Sequence, residues 1–167
     1  KGFNVIENQL LENKIKIIEI KVKGKFIYWK FENNIYLWNT LGMSGQWTIN
    51  KDKHCHIEFN LIDNETIYFR DISNFGKICF ETEINKKLIK IGHDILTSSL
   101  SNIEIINLFR QKNDWCLPKF LMNQSYLSGI GNYLKCEALY ASKLSPYRII
   151  KTLNDNEILK VYREVCR

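Results

Sequence analysis

LPKFLMNQSYLSGIGNYLKCEALYASKLSP, residues 117–146, decides how the rest of the chain is read. A short apolar run, Phe120-Leu121-Met122, meets the glycine-bearing turn Ser128-Gly129-Ile130-Gly131-Asn132. A second helical run follows from Tyr133 to Lys143 and is closed by Ser145-Pro146. Two glycines just ahead of a helix leave backbone N–H groups uncovered where the helix dipole is positive. That is a ready anion site, and nucleic-acid phosphate is the natural anion for a basic chain. The plainer reading is a helix–turn–helix whose glycines only relieve backbone strain. A lone Gly-x-Gly does not separate the two.

Upstream, the period is that of strands. In residues 11–31, Lys14, Lys16 and Lys21 interleave with Ile15, Ile17, Ile20 and Val22, which predicts a strand with one wet basic face. Lys23-Gly24-Lys25 interrupts it before Phe26-Ile27-Tyr28-Trp29-Lys30-Phe31. Glu32-Asn33-Asn34 predicts a hairpin into Ile35-Tyr36-Leu37-Trp38. Leu41-Gly42-Met43-Ser44-Gly45 reads as a loop. Residues 56–61 and 66–71 form a second hairpin around Asp63-Asn64-Glu65, and residues 77–81 one more strand. About six antiparallel strands in a sandwich or flattened barrel are therefore expected.

After Glu83 the period changes. Ser101-Asn102-Ile103-Glu104 is a capping box opening a helix to about Gln111, and Asn154-Asp155-Asn156-Glu157 caps another. The expected fold class is α+β: an N-terminal antiparallel β-sandwich over residues 1–92, then a helical lobe over 93–167. A hinge is expected between Lys90 and Ser101.

Composition bounds the partners. With 45% hydrophobic and 13% aromatic residues the chain has ample material for a core. Twenty-four Lys and Arg against 18 Asp and Glu give +6, spread along the sequence as a basic face rather than an arm. No apolar run approaches the roughly 20 residues that span a bilayer. The cysteines at 55, 79, 116, 136 and 166 form no Cys-x-x-Cys pair, so neither a zinc ribbon nor a disulfide framework is visible. A reducing compartment is expected.

Each candidate residue has a bland alternative. Lys53-His54-Cys55-His56 invites a metal, with His54 and His56 on one strand face, but two histidines are too few for a closed zinc site. A phosphate contact from one of these histidines, beside Lys51 and Lys53, fits better. Lys25 is either a solvated strand lysine or a proton carrier held at a glycine bend. Met43, between glycines, is either core or a wedge that enters a base stack, and Phe75 in Asn74-Phe75-Gly76 raises the same question. Glu137, on the stripe Tyr133–Cys136–Tyr140, is expected to play a structural part by pairing with a basic side chain or backbone N–H groups.

Taken together, these segments resemble the formamidopyrimidine-DNA glycosylase / endonuclease VIII family of base-excision repair enzymes. The resemblance rests on Lys23-Gly24-Lys25, the 41–45 loop, Lys53-His54-Cys55-His56, Asp71-Ile72-Ser73-Asn74-Phe75-Gly76, and Gly129-Ile130-Gly131-Asn132-Tyr133 with Glu137 and Pro146, in that order. It implies a helix–two-turn–helix in the helical lobe, with damaged double-stranded DNA crossing between lobes and the damaged nucleotide flipped out. It matches Lys25 to the lysine of strand-cleaving elimination. Met43 and Phe75 match side chains that fill the gap in the stack, and His54 a backbone contact. Asn132 with Gly129 and Gly131 matches the phosphate clamp, and Lys112 is grouped with these DNA contacts. The family nucleophile is an N-terminal proline amine, which attacks the sugar, expels the oxidised base and forms a Schiff base. An α-amine, with a pKa of roughly 8, is far more often free base near neutrality than a lysine.

This chain departs from the pattern. It opens Lys1-Gly2-Phe3 without Pro-Glu, Ser73 stands where the family often has arginine, and Thr40 where it often has histidine. The segment is therefore expected to be a divergent member lacking the catalytic Pro-Glu and the C-terminal zinc finger, and inactive alone. It is expected to carry no cofactor itself, with zinc in a further C-terminal part, and to be monomeric and without a membrane partner. Its expected setting is intracellular, cytoplasmic in a prokaryote or nuclear in a eukaryotic or viral one. The alternative is a non-catalytic DNA-binding module of the same descent.

Overall fold

The computed structural model describes residues 14–167, so the expected start of the first strand at residue 11 lies outside the described part. Two compact units, Lys1–Ile84 and Asn85–Arg167, divide the chain.

Among the described residues the first unit has seven strands. β1 (Ile17–Lys23), β2 (Phe26–Phe31), β3 (Tyr36–Thr40) and β7 (Lys77–Glu81) form one antiparallel sheet in the order β1-β2-β3-β7. β4 (Gln46–Thr48), β6 (Thr66–Arg70) and β5 (Cys55–Asn60) form another in the order β4-β6-β5. Each predicted turn is present. Lys23 pairs with Phe26 across a two-residue loop whose Gly24 has φ 57°, and Asn34 and Asn64 take the left-handed conformation at the other two tips. β4 escapes sequence reading because Gln-Trp-Thr is too short to show alternation. Its reason is Trp47, whose ring lies 4.8 Å from Trp29 and 5.7 Å from Phe59. That aromatic cluster spans both sheets, and with Phe31, Ile35 and Leu37 it makes the sandwich core.

The second unit holds α1 (Asn85–Leu88), β8 (His93–Asp94), α2 (Asn102–Arg110), α3 (Leu117–Leu121), β9 (Leu127–Ser128), α4 (Asn132–Ser142) and α5 (Asp155–Val165), with a 3-10 turn at Ile150–Thr152. Both predicted capping boxes form, Ser101 with Glu104 and Asn154 with Glu157. α4 ends before Ser145-Pro146, at Lys143 in the left-handed conformation (φ 59°). Phe109, Leu117, Phe120, Leu127, Ile130, Ile150, Ile158 and Val161 are fully buried at its centre. Arg110 ties α2 to the C-terminal elements by donating to the carbonyls of Ile150 and Leu153 and to Asp155.

The division falls after Ile84, eight residues before the boundary at 92/93 expected from sequence. The reason is backbone pairing. Gly92 N–H donates to Gln124 O, His93 N–H to Tyr126 O, and β8 runs parallel to β9. Much of the segment expected to hinge is thus bonded into the helical unit. A Cβ on Gly92 would come within 2.4 Å of the Tyr126 backbone, so this approach requires glycine.

Candidate nucleic-acid interface

α3, two turns and α4 present the glycine turn as an open helix start. Gly131 caps α4 in extended conformation, with no side chain bonding the first helical amides. These N–H groups are the donors an anion meets. Gly129 sits at φ 100°, a conformation that L side chains rarely adopt. Asn132, the first helical residue, is exposed, and its Oδ1 accepts from Lys135 Nζ at 2.6 Å. Its carbonyl is therefore engaged, and its amide NH2 can donate to an incoming oxygen.

Sequence reasoning overlooked Gln124. Its Oε1 accepts from Gly129 N–H at 3.0 Å, while Nε2 donates to the carbonyls of Ile130 and Met122. One side chain thereby fixes the glycine turn from beneath. The signal was a glutamine five residues before a glycine, which has no meaning until the turn folds back. Lys112 lies 5.2 Å from the Trp115 ring centroid and 5.8 Å from that of Tyr126, and Lys119 reaches the same Trp115 at 4.4 Å. Both ammonium groups are held by cation–π attraction on a half-buried aromatic.

In the β unit, the 41–45 and 71–76 loops are locked together around one carboxylate. Asp71 is buried and accepts from Ser44 Oγ at 2.6 Å, from Gly76 N–H at 2.7 Å, and from the hydroxyl and backbone N–H of Ser73. Ser44 Oγ also lies 2.7 Å from Ser73 Oγ and accepts from Ser73 N–H. A Cβ at Gly42 would meet the Phe75 backbone at 2.7 Å, so the two loops touch. The lock leaves Met43 85% and Phe75 64% exposed, which decides both residues against core packing.

These hydrogen bonds, Ser44's foremost, hold the Asp71 carboxyl down at about 2 against an ordinary 3.8. Because the folded value lies below the unfolded one, the stabilisation is complete above about pH 4 and is lost as pH falls towards 2. Unfolding in urea between pH 5 and pH 2 is expected to show this loss, and Asp71→Asn is expected to flatten that part of the profile. An unchanged pH dependence in the variant would count against the lock.

Lys25 lies at the tip of the β1–β2 hairpin. Its side chain is exposed overall, yet partial desolvation of its ammonium lowers its pKa. That is the direction a proton-transferring lysine needs. The histidine pair departs from expectation. β5 begins at Cys55, so His54 lies in a turn, and a bulge between Cys55 and Ile57 breaks the alternation that was to align it with His56. Asp52 accepts from His54 N–H at 2.8 Å and from Arg70 at 2.6 Å, which fixes that turn. His56 Nε2 instead meets the Asp71 carbonyl at 2.9 Å. Among the described residues, no group of three or more His, Cys, Asp or Glu side chains is placed to hold a metal. They do not fit a zinc site.

Glu137 requires a correction. It is exposed, and among the described residues no hydrogen bond or ion pair reaches its carboxylate. α4 buries Ala138, Leu139 and Ser142, so the stripe that carries Tyr133, Cys136, Glu137 and Tyr140 faces water. Among the described residues no helix is long and apolar enough to cross a membrane.

Fold and motif order define a protein of the β-sandwich and helix–two-turn–helix class. Residues 4–78 match the sequence model of the formamidopyrimidine-DNA glycosylase N-terminal domain. The chain is 31% identical over 150 residues to formamidopyrimidine-DNA glycosylase of Rickettsia bellii, covering 85% of this chain and 55% of that protein. It is 30% identical over 170 residues to the Wolbachia protein of that name from Brugia malayi, covering 97% and 60%. The crystal structure of the MutM (Fpg) protein of Thermus thermophilus superposes with a TM-score of 0.82 at 24% identity, covering 95% of this chain and 60% of that one. The Lactococcus lactis formamidopyrimidine-DNA glycosylase, bound to DNA containing an AP site, gives 0.84 at 19%, covering 96% and 65%. The sequence model, the curated relatives and the solved structures together support a member of the formamidopyrimidine-DNA glycosylase / endonuclease VIII family. It spans 55% to 60% of the length of these two curated relatives.

Proposed function

We propose that the intact protein is a base-excision repair enzyme, a DNA glycosylase with AP-lyase activity that removes oxidised bases from double-stranded DNA inside the cell. The observation that carries this reading is the pair of exposed apolar side chains, Met43 and Phe75, on loops locked by Asp71. A surface that spends a buried acid to hold two large apolar groups in water is built for a partner with an apolar interior, and a base stack is one. The amides at Gly131–Asn132, with Lys112, support phosphate contacts that hold the duplex without reading its sequence. The His54 turn adds a further backbone contact.

Lys25 then serves the elimination step by moving a proton. The nucleophile is assigned to an N-terminal proline amine outside these 167 residues, whose two prolines, Pro118 and Pro146, lie within the helical unit. Zinc, where the intact protein uses it, belongs to a further C-terminal part, and no step here depends on it. The 167-residue chain is expected to bind duplex DNA as a monomer without turnover.

Sodium borohydride trapping tests the chemistry. The intact protein should form a covalent adduct with an oxidised-base or abasic duplex. Absence of an adduct, with duplex binding retained, would favour the non-catalytic module. Asn132→Ala is expected to weaken binding about tenfold, equally on damaged and undamaged duplexes, and affinity should fall steeply with salt. A loss confined to damaged DNA, read by fluorescence anisotropy, would contradict the assignment of Asn132 to phosphate.

A further inference from the structure

Ile72, between Asp71 and Ser73 on the loop that carries Phe75, is 51% exposed, and that loop touches the one that carries Met43. Three large apolar side chains left in water on two touching loops are costly unless a partner covers them. The serines of these loops turn the other way, because the hydroxyls of Ser44 and Ser73 are both spent on Asp71 and on each other. Ser73 is short, half-buried and hydrogen-bonded within its own loop. The other polar side chain between Asp71 and Gly76 is Asn74, exposed at φ 57°, with no hydrogen bond to its amide among the described residues.

We propose that Met43, Ile72 and Phe75 form a three-residue apolar wedge that enters the stack without selecting the base opposite the lesion. The inference rests on the proposed glycosylase reading and specifies its substrate. Contact between an apolar side chain and a base face is tolerant, since every base presents a π-face. Selection needs polar groups in a fixed pattern, so that the wrong base leaves a donor or acceptor unpaired. The inward-bonded Ser73 offers no such pattern. The Asn74 amide carries donors and an acceptor that exchange places by a simple flip, so it can meet the edge of any base. Ile72, stiff at χ1, supplies the third side of the wedge.

The test uses the 167-residue chain and duplexes carrying one tetrahydrofuran abasic-site analogue opposite adenine, cytosine, guanine or thymine. The four dissociation constants are expected to agree within about threefold. Ile72→Ser, at an exposed position where folding should survive, is expected to weaken all four by about three- to tenfold together. A preference of more than about tenfold for one opposite base, or an Ile72→Ser protein that binds all four as tightly as the parent, would overturn the wedge. If the parent chain binds the abasic and undamaged duplexes alike, the glycosylase reading itself fails instead.

Discussion

Phe120→Ala is expected to destabilise the helical unit by about 3–5 kcal/mol, the largest effect of any single side-chain truncation considered. Phe120 is fully buried, its ring 4.4 Å from Phe109 and 5.4 Å from Tyr126. Truncation removes both contacts and leaves a cavity that α2 and α3 cannot close without moving Leu117 and Leu121, themselves fully buried. The consequence reaches function, because Tyr126 and Gln124 hang from the turn that follows α3. Urea unfolding followed by far-ultraviolet circular dichroism, which reports the helices, should show the midpoint falling sharply. Ile103→Ala, at a 71% exposed position on α2, should change it by no more than about 0.5 kcal/mol. Equal midpoints for the two variants would show that Phe120 is not the centre of this core.

Gln124→Leu is expected to cost about 2–3 kcal/mol and to weaken DNA binding more than Asn132→Ala does. Leucine keeps much of the volume but removes three hydrogen bonds, leaving Gly129 N–H and the carbonyl of the fully buried Ile130 without their partner. The turn is then free to relax, and the amides ahead of α4 lose their common direction. Asn132→Ala deletes one contact from an intact turn; Gln124→Leu disturbs the turn itself. Binding at several salt concentrations separates the two, since a lost phosphate contact lowers the salt slope by about one unit. A Gln124→Leu protein with parental affinity would show that the turn holds its shape without this side chain.

Much of the β unit was legible because its turns carry their own chemistry. Gly24, Asn34 and Asn64 each adopt a positive φ where a tight hairpin needs one. The alternation between them assigned six strands, and only β4 escaped. The helix starts were equally plain, since Ser101 with Glu104 and Asn154 with Glu157 act over three residues. What failed was long-range. Glu137 shares a helical stripe with two tyrosines, but which stripe of α4 is buried depends on where α5 packs. His54 and His56 share a face only if the strand is regular, and the bulge at Cys55 is set by its partner β6.

The sequence alone determined the order of the elements, the turn that opens α4, and the loops that carry Met43 and Phe75. These depend on contacts a few residues apart, where residue type and conformation are tightly linked. The tertiary structure alone decided that Asp71 binds the two loops together, that Gln124 supports the glycine turn, and that Ile72 is left exposed beside Asp71. Ser44 lies 27 residues from Asp71 along the chain, a separation at which partners are chosen by packing and no local pattern records them. Gln124 lies only five residues from Gly129, yet its side chain meets that amide only once the turn has folded back over it.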